Sequence, residues 1–134
     1  MNDCIFCKIV AGEIPSYKVY EDDDVLAFLD ITQTTPGHTL VVPKEHSKNV
    51  LAMTEEQAKT LFAKVPAIAR AVKEKTGATG MNILQNNEEI AGQTVFHTHV
   101  HLIPRYDVAD GLKIEFTNNM DKFDLAELAE KIRF

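Results

Sequence analysis

Apolar and polar positions alternate in short runs through the first third of the chain, then recur with a helical period in its middle. In "YKVYEDD" and "DVLAFLD", Val19, Val25, Ala27 and Leu29 occupy alternating positions, the period of half-buried strands, and the acidic residues 21–24 between them read as a turn. "TQTTPGH" (residues 32–38) is rich in turn formers, and "TLVVPK" predicts a third strand ending at Pro43. From Thr54 the pattern changes. Thr54 and Gln57 have capping-box spacing, and Ala58, Leu61, Phe62, Val65, Ala69 and Val72 mark one helical stripe with Gly77 as its stop. Pro66 interrupts the stripe. It lacks an amide hydrogen and clashes one turn back, so a bend or irregular turn is expected there. "MNILQN" predicts a fourth strand, and "NEEIAGQ" a loop into a fifth. Asp124 with Glu127 predicts the cap of a last helix that packs Leu125, Leu128 and Ile132. The expected architecture is α+β: residues 1–134 as one domain, an antiparallel five-stranded sheet with a long helix packed on it and a short C-terminal helix.

Composition narrows the classes. With 45% hydrophobic and 25% charged residues, the 134-residue chain has an ordinary soluble make-up. A net charge of -6 and a pI near 5.3 argue against binding nucleic-acid polymers, which demands concentrated Lys and Arg. No apolar run reaches the roughly 18 residues of a membrane span. The start, "MNDCIFCKIV", has neither the basic region nor the apolar core of a signal peptide, so a cytoplasmic location is expected. There, Cys4 and Cys7 read as thiols or metal ligands rather than a structural disulfide.

The chemistry concentrates in "HTHVHLIPR", residues 97–105, which holds three of the five histidines. On a strand, His97, His99 and His101 share one face. Alternate residues stand about 7 Å apart, so a flat strand cannot bring all three rings onto one metal. Two chemistries remain. A histidine whose tautomer is fixed by a neighbour can attack phosphorus while other imidazoles and amides hold the developing charge. Alternatively, imidazoles with further ligands can bind zinc and activate water, although no supporting acidic ligand pattern lies near the motif.

"AGQTVFHTHVHLIPR" resembles the signature of the histidine triad family of nucleotide hydrolases and transferases, and "AFLDITQTTPGHTLVVPKEH" (residues 27–46) resembles that family's other signature region. The likeness covers most of residues 4–106. Its one departure is Thr98, a more polar spacer than the pattern prefers. The resemblance implies that His99 is the nucleophile toward an α-phosphate, with a backbone carbonyl holding its other nitrogen protonated. It implies that His101 contacts a phosphoryl oxygen, that Gln93 and Thr94 line the phosphate and leaving-group side, and that His38 supports the triad. Asp30 is then the ribose ligand, Phe28 the wall beside the base and Asn82 a polar neighbour of sugar and phosphate.

Cys4 and Cys7 form a CxxC, which by itself suits either a redox couple or half of a zinc site. The nucleotide chemistry leaves His46 and His97 unassigned. The wider superfamily's hexose-1-phosphate uridylyltransferases are similar in pairing a CxxC with a later histidine and the first histidine of the motif. Cys4, Cys7, His46 and His97 are therefore the expected ligands of a structural zinc. The implied activity is hydrolysis of a phosphoramidate or phosphoanhydride of a purine nucleotide. The alternatives are a dinucleoside polyphosphate hydrolase and a nucleotide- or partner-binding module with incidental turnover. The motif ends in Pro-Arg rather than the paired glycines of the phosphoramidase branch, and Arg105 reads as a surface ion-pair former. The resemblance also implies a homodimer joined through the long helix and adjoining strand.

Overall fold

The computed structural model describes residues 3–134. Five strands form one antiparallel sheet in the order β1-β2-β3-β5-β4: β1 (Lys18–Glu21), β2 (Val25–Leu29), β3 (Thr39–Pro43), β4 (Gly80–Leu84) and β5 (Val100–Arg105). Four α-helices accompany it: α1 (Ile5–Val10), α2 (Glu55–Phe62), α3 (Val65–Thr76) and α4 (Leu125–Ile132). Among the described residues, no helix is long and apolar enough to cross a membrane.

The sheet is covered on both faces, and strand alternation sorts its side chains between them. Val25, Ala27, Val41, Val100 and Leu102 point to one face, where they pack under Leu61, Val65, Ile68 and Val72 of α2 and α3. Leu26, Phe28, Leu40 and Val42 point to the other and pack under Phe6 and Ile9 of α1. The centre of the sheet is therefore apolar on both sides, and β2 and β3 read as continuous hydrophobic runs. His101 pairs in register with Leu40, so the histidine face is the α1 face, opposite the long helices.

The expected single long helix is two. Thr54 and Gln57 form the capping box at the start of α2, which ends at Phe62, and Pro66 sits in the first turn of α3, where its missing N–H costs nothing. The stripe runs on because both helices lie on the same core. Lys64 between them bonds Asp22 in the β1–β2 turn at 2.7 Å, and Gly77 ends α3 in the left-handed conformation. Two further expectations are corrected. Val19 is 44% exposed, on an edge strand beside an open groove. Asp124 does cap α4 through the Glu127 amide, but Leu125, Leu128 and Ile132 are 78%, 39% and 70% exposed and belong to neither core cluster of the described residues.

Candidate functional site

The site forms where α1, the β3 ends and the segment leading into β5 meet. The segment 97–99 precedes β5 and is held by its odd man out, Thr98. Its backbone N–H donates to the Ser47 carbonyl at 2.8 Å, and its buried hydroxyl meets that of Ser47 at 2.6 Å. The polar spacer thus pins residues 46–47 to residues 97–99, which carries His46 to His97. Phe6 of α1 lies edge-on to the rings of both His97 and His99, with centroids 5.9 and 5.1 Å away. The short α1 went unrecognised in the sequence, although the apolar spacing of Ile5, Phe6, Ile9 and Val10 carried its signal.

Each histidine's chemistry follows from what its far nitrogen touches. His99 Nδ1 lies 2.8 Å from the His97 carbonyl, which can only accept, so Nδ1 carries the proton and Nε2 keeps its lone pair. A relay runs beside it. The Thr34 amide donates to His38 Nδ1 at 3.2 Å, which puts the His38 proton on Nε2, 2.9 Å from His101 Nδ1. His101 Nδ1 accepts, so its Nε2–H is a donor. Burial holds His99 and His38 below the ordinary histidine range, and it pushes His101 down to about 4, helped by His99 and His38 beside it. The centre at neutral pH is one nucleophilic nitrogen flanked by one N–H donor, both uncharged.

Asp30 ends the same face. Burial raises its carboxyl, but bonds from Thr32 and the nearness of His38 and His101 outweigh this and hold it below the usual range. Its Oδ1 takes the Thr32 amide and hydroxyl, at 2.8 and 2.6 Å, while Oδ2 lies 3.7 Å from His38 Nε2. Asp30 borders a cavity of about 220 Å³ lined by Phe28, Phe6, Ile9, Ile31 and Leu40, an apolar slot with one acid at its rim. Phe28 stands there as expected, edge-on to Phe6 at 5.6 Å. The α1 residues of that wall were missed with the helix itself.

Two of the expected site residues are engaged by neighbouring side chains. The Gln93 side chain is buried and fully committed: its Nε2 donates to the carbonyls of Lys48 and Val95, and its Oε1 accepts from Asn49 Nδ2 and the Glu88 amide. It braces the 86–95 loop, with no hydrogen-bonding capacity left to meet a substrate. Asn82 lies on the histidine face, but its Oδ1 is taken by Arg105 at 2.7 Å, and Arg105 also pairs with Asp110 at 2.6 Å. Arg105 is therefore the ion-pair former expected. Asn86, which no sequence pattern singled out, is the asparagine that lies against Gly92. Thr94 is exposed and lines a depression with Cys4, Ile5 and His46.

Cys4, Cys7, His46 and His97 bring one ligand atom each within 4.8 Å of all the others. His97 Nε2 donates to the Pro43 carbonyl at 2.8 Å, leaving the Nδ1 lone pair facing the cluster. That nitrogen lies 3.2 Å from His46 Nδ1 and 3.4 and 3.5 Å from the sulfurs of Cys4 and Cys7. A tetrahedral ion with ordinary Zn–N and Zn–S bonds separates its ligand atoms by about 3.3 to 3.8 Å. The residues fit such an ion. Burial and the neighbouring Cys4 push the Cys7 thiol up to about 11.

A family model described as HIT domain matches residues 11–108. The chain belongs to the HIT domain family. A crystal structure of SMU.412c from Streptococcus mutans is 62% identical and superposes with a TM-score of 0.94, over 98% of this chain and 84% of that one. The adenosine 5'-monophosphoramidase HNT1 of Candida albicans is 38% identical, covering 97% of this chain and 89% of its own. The adenylylsulfatase HINT3 of Arabidopsis thaliana is 44% identical, over 78% of this chain and 53% of its own. HIT relatives thus include hydrolases of two different adenosine nucleotide conjugates.

Proposed function

We propose that this chain is a nucleotide hydrolase that cleaves a phosphoramidate or phosphoanhydride at the α-phosphate of a purine nucleotide. The observation that carries the reading is the pair of opposite tautomers at the centre. His99 presents a free Nε2 lone pair, and His101, through the Thr34–His38 relay, presents an N–H. In the reaction, His99 Nε2 forms a bond to phosphorus as the bond to the leaving group breaks. The His101 N–H holds a phosphoryl oxygen as its negative charge grows. Water then attacks the nucleotidyl-histidine, the P–N bond breaks, and His99 recovers its lone pair. Asp30 Oδ2 accepts from ribose hydroxyls, the slot beside Phe28 takes the base, and Thr94 borders the leaving group. Names of relatives support both a P–N and a P–O–S substrate.

We read Cys4, Cys7, His46 and His97 as the ligands of one structural zinc, in a cytoplasmic protein that forms a homodimer. With all four positions filled by protein, a zinc there supplies rigidity rather than Lewis acidity. It ties α1, and with it Phe6, to the segment that aims His99. The deciding experiment incubates the protein with adenosine 5'-phosphoramidate, adenosine 5'-phosphosulfate and diadenosine polyphosphates, followed by acid-labile trapping of labelled AMP on the protein. Turnover of one of the first two with label on His99 supports the reading. Preference for the dinucleotides moves it to the polyphosphate branch, and no turnover of any supports the binding module.

A further inference from the structure

We propose that Gln33 is the positioning residue that sets the proton of the His38–His101 pair; this rests on the relay of the proposed function. Asp30 and His38 are the two ends of one loop, and the Thr34 amide between them keeps the proton off His38 Nδ1. The bond between the two rings can run either way. With Thr34 donating, His38 Nε2–H points at His101 Nδ1; with that amide turned aside, the same 2.9 Å bond can be made from a His101 Nδ1–H. The second direction strips His101 Nε2 of its hydrogen, and the phosphoryl oxygen of its donor. Asp30 Oδ2, 3.7 Å from His38 Nε2, is too far to fix the proton by itself.

The Gln33 side chain is a strut across that loop. Its Nε2 donates to the carbonyls of both ends, Asp30 at 2.7 Å and His38 at 2.8 Å, and its Oε1 accepts the Gly37 amide at 2.8 Å. Both hydrogens of the side-chain amide and its oxygen are thus spent inside the loop. The backbone at Gln33 is left-handed, with φ 44°. A residue other than glycine keeps that conformation only where its surroundings over-determine it, and here its own three side-chain bonds do so. The peptide between Gln33 and Thr34 carries the N–H that meets His38 Nδ1, so fixing Gln33 aims that hydrogen.

The far half of the loop is pinned from outside. Thr35 Oγ1 donates to the Pro104 carbonyl at 2.6 Å, and the Tyr106 hydroxyl donates to the Pro36 carbonyl at 2.5 Å. The chain after β5 passes so close that a Cβ on Gly111 would fall 1.8 Å from the Thr34 carbonyl oxygen. These contacts hold the carbonyl side of residues 34–36 and leave the Gln33–Thr34 peptide to Gln33. Removing the strut therefore frees one peptide without unfolding the loop.

The test uses the full-length protein and two variants. Gln33→Gly removes the side chain but suits the left-handed turn, while Gln33→Glu keeps the acceptor for Gly37 and loses both donors. Long-range proton–nitrogen correlation spectra of isotope-labelled histidine rings, recorded at neutral pH, report which ring nitrogen carries hydrogen. We expect hydrogen on Nε2 alone for His38 and His101 in the parent, and a second tautomer of both in each variant. With whichever of the three nucleotide conjugates the parent turns over, kcat is expected to fall about tenfold while KM changes less than about twofold. Unchanged tautomers in either variant overturn the proposal even where kcat falls, since the loss is then merely structural. Shifted tautomers with an unchanged kcat overturn the place of Gln33 in catalysis. A parent that turns over none of the conjugates overturns the hydrolase reading alone, and the tautomers still decide the role of Gln33.

Discussion

Two clusters of metal-type ligands lie within a few residues of each other, and the bonds to their outer nitrogens set them apart. Cys4, Cys7, His46 and His97 close to within 4.8 Å, and so do Asp30, His38 and His101. By residue type the second is the more familiar catalytic metal triad, two histidines and a carboxylate. The difference lies in the far nitrogens. At His97 the outer nitrogen gives its proton to the Pro43 carbonyl, so the inner one offers a lone pair. At His38 the outer nitrogen receives the Thr34 amide, so the inner one carries a proton and spends it on His101. One backbone group, donor or acceptor, decides whether the inner nitrogen offers a lone pair or a proton. Ligand identity without the partner of the second nitrogen is half a description.

The comparison breaks most visibly at His99, which belongs to neither cluster but depends on both. His99→Asn should lower turnover on the order of 10⁴-fold or more, as loss of a catalytic nucleophile does, while nucleotide binding by calorimetry survives. The two clusters should then separate by metal analysis. Zinc titration of metal-free protein is expected to fill one tight site per chain, lost in Cys7→Ser with a fall in Tm of roughly 5–15 °C. A second tight equivalent that needs His38 would erase the distinction. Breaking the relay instead with His38→Phe should cost about 10–100-fold in kcat, the range of groups that orient rather than react, with zinc content unchanged. Asp30→Asn, which keeps the Thr32 contacts but not the charge, should raise KM about tenfold and leave kcat nearly intact.

The smallest effect is on the pH dependence of stability. His101 is held down to about 4 in the folded protein, against about 6.5 when unfolded. Between those values the unfolded chain binds a proton that the folded one refuses. Stability contributed by the neutral ring is thus present above about 6.5 and is lost as pH falls toward 4. His101→Gln should flatten that part of a urea-unfolding pH series and leave the neutral region unchanged.

Much of the fold was legible in the sequence because periodicity is local. Short apolar runs bounded by turn formers marked all five strands, the Thr54–Gln57 box opened α2 where expected, and Pro66 announced the break before α3. The roles that the resemblance implied for individual side chains were harder to carry over. The resemblance puts Gln93 and Asn82 near the phosphate, yet Gln93 is consumed by Asn49, Glu88, Lys48 and Val95, and the Oδ1 of Asn82 is taken by Arg105. A side chain's type sets what it can bond, while its neighbours set what remains for a ligand. Thr98 is the converse: a spacer that looked like a departure from the pattern proves to be a buried clasp on Ser47.

The histidine spacing, the CxxC and the strand and helix periods were enough to determine the fold class and to single out His97, His99 and His101, although only His101 lies on β5 and the other two precede it. The folded chain decided everything that depends on separation in sequence. Residue 4 meets residue 97, residue 34 sets the proton on residue 101, and the apolar side of α4 joins neither core cluster of the described residues. Each of these rests on hydrogen bonds and contacts between distant segments, whose donors, acceptors and packing no local pattern records.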